Sequence, residues 1–314
     1  FTVLYFSMDE TQKAIIKTLS FFDLFSYPLT KEEIFSYLWK VKIDSYLLSE
    51  KLEELVDNKI LVEKYGYYFL PDRDIVENRR QHFLESELKL KIARKAVKKI
   101  SAIPFVKAIF VCNSVAFGTA EQNSDIDFFI ITAKKRLWLV RFLTNIILLI
   151  FGLRVGKNKT GNRICLSFYL NEENLDLKNI RIVPEDIYLS FWLATLLPVY
   201  DPQRIGEKII KENRWLLELL PNLPESLSLY IKEVKNGGIK SFFKKILEKT
   251  WVGAYGDLME KQAAEAQKTK LKFSLKEQIA PNVILDDTML KFHENDRRRE
   301  YYKKWLEKLQ DYKI

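Results

Sequence analysis

Histidine and cysteine are nearly absent: two of each in 314 residues, His82, His293, Cys112 and Cys165. So sparse a set leaves little for a zinc site, a Ser-His-Asp triad or a Cys-His nucleophile. Both cysteines sit inside apolar runs, "FVC" and "RICL", which reads as buried, reduced thiols and an expected cytoplasmic location. The first ten residues, "FTVLYFSMDE", lack the basic, apolar and small-residue order of a signal peptide, so secretion is not expected. Long apolar runs are also scarce. The one stretch of note, residues 137–153, has about 17 residues and contains Arg141, at the lower limit for crossing a bilayer. It reads as a buried helix, and a membrane partner is not expected. Acids are missing from residues 128–171, where Lys134, Lys135, Arg136, Arg141, Arg154, Lys157, Lys159 and Arg163 supply an unopposed basic stretch on which an anion could dock.

What is present is the composition of a folded globular chain, 47% hydrophobic and 30% charged, so disorder is excluded as a general description. The net charge of +9 favours anionic partners. The length is enough for two or three compact units. Residues 1–75 read as a winged-helix-like module. "DETQKAIIKTLSFFDLF", "TKEEIFSYLW" and "DSYLLSEKLEELVDNK" have helical spacing and capping residues, and "ILVEK" and "YYFLP" form a strand pair around Tyr65-Gly66. DNA reading by the third helix is not expected, because Asp44, Glu50, Glu53, Glu54 and Asp57 outweigh Lys51 and would meet phosphates.

Residues 76–178 read as the core. A long helix over 73–101 precedes the strands "FVKAIFVC" and "DIDFFIIT", the apolar helix 135–153 and the strand "RICLSFYL". Residues 179–314 read as a C-terminal helical region, interrupted by the Pro- and Gly-containing segment "NLPESLSLYIKEVKNGGIK". In "MLKFHENDRRREYYKKW", Asn295 or Asp296 reads as a cap for a charged helix, with the alternative of a cationic element lining a substrate cleft. The fold class is α+β: a small mixed sheet flanked by the N-terminal module and the C-terminal helices.

The chemistry concentrates in "VCNSVAFGTAEQNSDIDFFIIT". Residues two apart on a strand share a face, so Asp125, Asp127 and Phe129 point one way and Ile126, Phe128 and Ile130 the other. Convergent carboxylates suit Mg²⁺ or Mn²⁺, hard ions that take oxygen ligands and phosphate oxygens. A small-residue turn at Asn113-Ser114 would let backbone N–H groups and a hydroxyl approach a phosphate.

This string resembles the signature of the DNA polymerase β-like nucleotidyltransferase superfamily: Gly-Ser or Gly-Gly, a spacer, then Asp-x-Asp on a strand. The resemblance covers roughly residues 85–175. It implies Asp125 and Asp127 as catalytic metal ligands, Asn113 and Ser114 as the contact for a nucleoside triphosphate, Gly118 shaping the loop and Ser124 capping it. It further implies an acceptor, whether RNA, protein or a small molecule. Asn113 stands where the family has glycine, which requires Asn113 to adopt the left-handed conformation if backbone is to come close. The family's third carboxylate is missing from "RICLSFYL". Its apolar face reads as Ile164, Leu166, Phe168 and Leu170, leaving Arg163, Cys165, Ser167 and Tyr169 for the site. Glu172, Glu173 or Asp176 would have to reach back from the next loop. The alternative to an active transferase is a catalytically degenerate nucleotide-binding or regulatory protein.

Overall fold

The computed structural model describes residues 8–71, 73–156, 160–224, 233–275, 283–292 and 296–314. Residues 1–7, Lys157, Lys159, 225–232, His293 and Asn295, noted above in the sequence, lie outside the described residues. The chain is mixed α/β. Its first part comprises α1 (Glu10–Asp23), β1 (Leu29–Thr30), α2 (Lys31–Tyr37), α3 (Ser45–Asp57), β2 (Val62–Lys64) and β3 (Tyr67–Phe69). Local chemistry explains these boundaries. Asp9 with Gln12 and Thr30 with Glu33 form capping boxes that satisfy the first N–H groups of α1 and α2, and Asp44 caps α3. Tyr65 and Gly66, both at positive φ, make the tight turn between β2 and β3.

Next come α4 (Val76–Ile100), β4 (Val106–Cys112), α5 (Asn113–Phe117), β5 (Ile126–Thr132), α6 (Leu137–Ile150) and β6 (Ile164–Asn171). The strand, strand, helix, strand order is the one the sequence pattern implied. The segment after β4, read as a loop, begins with the short helix α5, closed by Gly118 at φ 72°. β4 and β5 are antiparallel, whereas β5 and β6 are parallel and need a crossover, which α6 provides. Glu260 receives the N–H groups of Trp138 and Leu139 at 2.8 Å each, so the start of α6 is capped from a distant helix.

The remainder contains α7 (Ile187–Ala194), β7 (Leu197–Tyr200), α8 (Ile205–Glu212), α9 (Arg214–Leu219), α10 (Gly238–Thr250), α11 (Ala254–Leu275), β8 (Ile284–Leu285), β9 (Met289–Lys291) and α12 (Arg298–Asp311). The expectation of a purely helical C-terminal region fails here. β7, β8 and β9 join the central sheet, whose order is β7-β4-β5-β6-β9-β8. They escape pattern reading because two to four residues carry no periodicity, and only pairing of β7 with β4, β9 with β6 and β8 with β9 gives their backbone groups partners. Among the described residues, no helix is long and apolar enough to cross a membrane, and α6 has 14 residues.

The sheet separates two cores. Phe110, Phe129, Ile131, Phe168 and Leu170 pack with α1 to α3, α7 to α9 and α12, so one core runs through all three parts of the sequence. Ile109, Val111, Phe128, Ile130, Leu166 and Tyr169 pack on the other face against α4, α6 and α11. The alternation read along β6 therefore breaks. Asp127 pairs with Cys165 and Phe129 with Phe168, so one residue of β5 opposes Leu166 and Ser167 together. This bulge reverses the faces beyond it. Phe168 and Leu170 turn to the same side as Phe129, while Tyr169 turns away to share a 2.8 Å hydrogen bond with Thr144.

Candidate active site

Asp127 lies near the start of β5, opposite Cys112, with its side chain on the Phe129 face. Asp125 immediately precedes the strand. Ligand atoms of Asp125, Asp127 and Cys165 all fall within 4.8 Å of one another. Cys165 and Ser167 both turn toward Asp127, as the alternation along the strand implied, and the Ser167 hydroxyl donates to Asp127 Oδ1 at 3.2 Å. Burial, and secondarily the Asp125 charge, push the Asp127 carboxyl up to about 6, against hydrogen bonds from Asn113, Cys165 and Ser167 that favour its ionised form. The Cys165 thiol is raised in turn, first by burial and then by the two acids, so it stays S–H and donates to Asp127. The exposed lone pairs are therefore mainly carboxylate oxygen, a hard donor set.

Neither Asp125 nor Asp127 forms an ion pair among the described residues. The Lys89 charge is felt at Asp125, but no cation among the described residues is bonded to either carboxylate, and a divalent ion could bridge the two. Mg²⁺ or Mn²⁺ thus fits the residues present.

Asn113 has φ 56°, the left-handed conformation that the sequence required of it. Its side-chain oxygen accepts from Trp192 Nε1 at 2.9 Å, and Trp192 itself packs on Phe129 and Phe168. Ser114 is half-buried in the first turn of α5, and its carbonyl accepts from Gly118 N and Thr119 N. A Cβ on Gly118 would stand 2.9 Å from Tyr27 Oη, and the Tyr27 ring is held by the Arg79 guanidinium 4.2 Å from its centre. Gly118→Ala is therefore expected to cost about 2–3 kcal/mol, from the left-handed backbone and the overlap together, read as a shifted urea midpoint.

The Ser124 hydroxyl donates to Glu121 O at 2.8 Å and closes the turn before Asp125. That turn is held by a residue that sequence reasoning missed. Lys89 of α4 is fully buried, and its ammonium donates to Gln122 O at 3.1 Å, Ser124 O at 2.9 Å and Asn162 Oδ1 at 2.9 Å. It joins the turn leading to Asp125 to the turn leading to Cys165. In sequence it is one lysine among many on a charged helix; only its place at a buried heptad-like position beside Leu90 and Ala93 set it apart. Lys89→Met leaves three acceptors unpaired. It is expected to cost about 1–3 kcal/mol, measured by urea unfolding.

The proposed sources of a third acid go elsewhere. Glu172 N donates to Thr132 O, which places it at the far end of β5, about 16 Å from Asp127 at roughly 3.3 Å per residue. Glu172 pairs with Lys107 and Glu173 with Lys134, while Asp176 accepts from Lys178 N. The basic stretch is likewise dispersed. Arg136 is buried against Asp257 and Trp251 O, and Arg141 bonds Gln267. Arg154 bonds Asn145 and Ile164 O, and it is the cation whose charge is felt at Cys165. No single anion-docking surface results from the described members of that stretch.

Beside Asn113 opens a cavity of about 170 Å³ bounded by Phe168, Tyr188, Trp192, Arg297 and Tyr301. Tyr188 and Tyr301 stack with ring centres 5.4 Å apart, and Arg297 lies 5.1 Å from the Tyr301 ring. Lys291 and Arg298 also line it, and both are bound to Asp296. Asp296 Oδ1 also accepts Arg298 N at 3.2 Å, but the cap position of α12 is Arg297, without a side-chain cap bond, so Asp296 lies one residue outside the cap read for it from the sequence. No family model, curated protein or solved structure matches the chain.

Proposed function

We propose that this chain is a Mg²⁺- or Mn²⁺-dependent nucleotidyltransferase of the DNA polymerase β-like type, moving a nucleoside monophosphate from a triphosphate to a hydroxyl or phosphate acceptor. The observation that carries the reading is the convergence of Asp125 and Asp127 beside a left-handed Asn113 and the turn it opens. Asp125 and Asp127 would hold the ion, which when bound offsets charge on the triphosphate and on the departing pyrophosphate. Asn113 and Ser114 would present backbone and hydroxyl to the phosphates. The aromatic cavity beside Asn113 gives the nucleoside or the acceptor a place to lie. In the reaction an acceptor oxygen attacks the α-phosphorus in line, the bond to the β-phosphate oxygen breaks and pyrophosphate leaves. A hydroxyl acceptor gives up its proton to solvent, whereas a phosphate acceptor has none to lose, which suits a site with two acids.

The test is incubation with Mg²⁺ or Mn²⁺, each α-labelled nucleoside triphosphate, and pools of RNA, protein and metabolites, with Asp125→Asn and Asp127→Asn in parallel. Label transferred by the wild type and not by the variants supports the assignment; equal transfer by the variants refutes it. A second reading has its own observation: Glu172 and Glu173 lie at the opposite end of the sheet, so the usual third acid is not supplied from there. On that reading the chain binds nucleotide without turnover and regulates through the N-terminal helices and sheet, a winged-helix-like arrangement. Metal-dependent nucleotide binding with no transfer to any pool selects it.

A further inference from the structure

A surface helix ordinarily buries its apolar stripe and leaves its charges in water. α10 does the reverse. Its inward face is polar: Lys244 Nζ donates to Ser101 O, Val106 O and the Tyr200 hydroxyl, and Glu248 Oε1 accepts the Phe105 N–H at 2.8 Å. Its outward face carries Ile239, Phe242, Phe243 and Ile246, at the i, i+3, i+4, i+7 spacing of one stripe, exposed by 76%, 61%, 59% and 40%.

The surroundings of this stripe carry one sign of charge. Lys240 Nζ donates to Lys98 O at 3.0 Å, so the end of α4 lies beside the start of α10. The next residue, Lys99, places its ammonium 4.2 Å from the ring of Phe151, where the exposed Leu149, Ile150 and Phe151 close α6. No acid occurs in residues 88–101, and Glu248, turned inward, is the only one in residues 234–256. Lys95, Lys98, Lys99, Lys245 and Lys249 are exposed.

We propose that α10, with the adjoining ends of α4 and α6, seats the chain on the surface of an anionic lipid bilayer. The apolar stripe enters the boundary between headgroups and acyl chains, and the lysines lie at phosphate level. A second copy is a poorer occupant, because self-complementary pairing across a two-fold axis would set these lysines against each other. The chain lies on the bilayer and does not cross it, so the shortness of α6 is no obstacle. The absence of a membrane partner expected from the sequence rested on residues 137–153. The stripe of α10 gains its meaning only once Lys244 and Glu248 are seen to face inward.

Flotation of the full chain with vesicles of phosphatidylcholine alone, and of phosphatidylcholine mixed with phosphatidylserine, tests the proposal. Wild type is expected to float with the mixed vesicles only and to be released by added salt. Phe242→Ser/Phe243→Ser, and separately Lys245→Gln/Lys249→Gln, should each lower the vesicle-bound to free ratio about tenfold, with far-UV circular dichroism unchanged. Failure of wild type to float with the mixed vesicles overturns it, as does undiminished binding by the double serine variant. A lipid-free dimer in sedimentation equilibrium that the same serine substitutions dissociate also overturns it, by making a second copy the occupant.

Discussion

On the proposed function, Asp127→Asn is expected to lower metal-dependent transfer of nucleotide label by about 10²–10⁴-fold while leaving the metal-free protein at least as stable as wild type. The first half follows from charge. An amide keeps the shape of the carboxylate and can still accept the Ser167 hydroxyl, but it removes one of the two negative charges available to the ion. Metal-borne stabilisation of a transferring phosphoryl group is worth several kcal/mol, and about 1.4 kcal/mol is a decade of rate. The second half follows from the same pair viewed without metal. Asp127 is half-buried and faces Asp125 with no cationic partner among the described residues, so neutralising it relieves both desolvation and repulsion. A gain of about 1–2 kcal/mol in chelated buffer, read from the urea midpoint, is the signature of a site that sacrifices stability for binding. A variant that loses transfer and is also strongly destabilised would indicate that Asp127 is structural, and one that retains transfer would remove it from the site.

The second large effect is on stability. Arg298→Ala is expected to destabilise the fold by about 3–5 kcal/mol, the cost of leaving partner charges buried and unpaired. Arg298 donates to Asp296 through Nε and Nη2, at 2.8 and 2.7 Å, and through Nη1 to Asp186 Oδ2 and Ile180 O, both at 2.9 Å. Asp186 also receives the N–H groups of Leu189 and Ile182, so one guanidinium links the start of α12, the start of α7 and the segment before it. Lys291 of β9 adds its ammonium to Asp296 at 2.8 Å. Arg298→Lys should recover only part of the loss, because an ammonium cannot make the paired bonds of the planar fork. Urea unfolding with both variants checks this, and a loss under about 1 kcal/mol for Arg298→Ala would contradict it.

The pH dependence of that network has a definite sign. Burial alone would raise the Asp296 carboxyl, but the bonds from Arg298 and Lys291 outweigh it and hold the group well below the ordinary carboxylate range. A folded-state value lower than the unfolded one means stability that is present above pH 3.8, the ordinary value, and is lost as pH falls below it. The stability difference between wild type and Asp296→Asn should accordingly shrink when unfolding is measured at progressively lower pH below about 4.

The sequence by itself determined the local elements and the convergence of two carboxylates. Capping boxes at Asp9 and Thr30, the Tyr65-Gly66 turn and the two strands flanking Asn113 are written in short-range patterns, because their causes lie within four residues of their effects. The pairing of Asp125 with Asp127 followed from strand periodicity alone. Tertiary structure alone decided the rest. The bulge at Leu166-Ser167 depends on how β6 meets β5, and it is what turns Phe168 and Leu170 to the Phe129 face and Tyr169 away. Strands β7 to β9 exist because other strands offer them hydrogen bonds, which no two- to four-residue segment can announce. Glu172 and Glu173 were in range by sequence count yet lie at the wrong end of a parallel strand, since a rise of about 3.3 Å per residue outruns any side chain. Lys89, Trp192 and Arg298 act across chain separations of roughly 30–120 residues, and the inward charges of α10 depend on partners more than 40 residues away. Buried polar groups must find partners wherever the packed chain brings them, so their roles become readable only when the chain has folded.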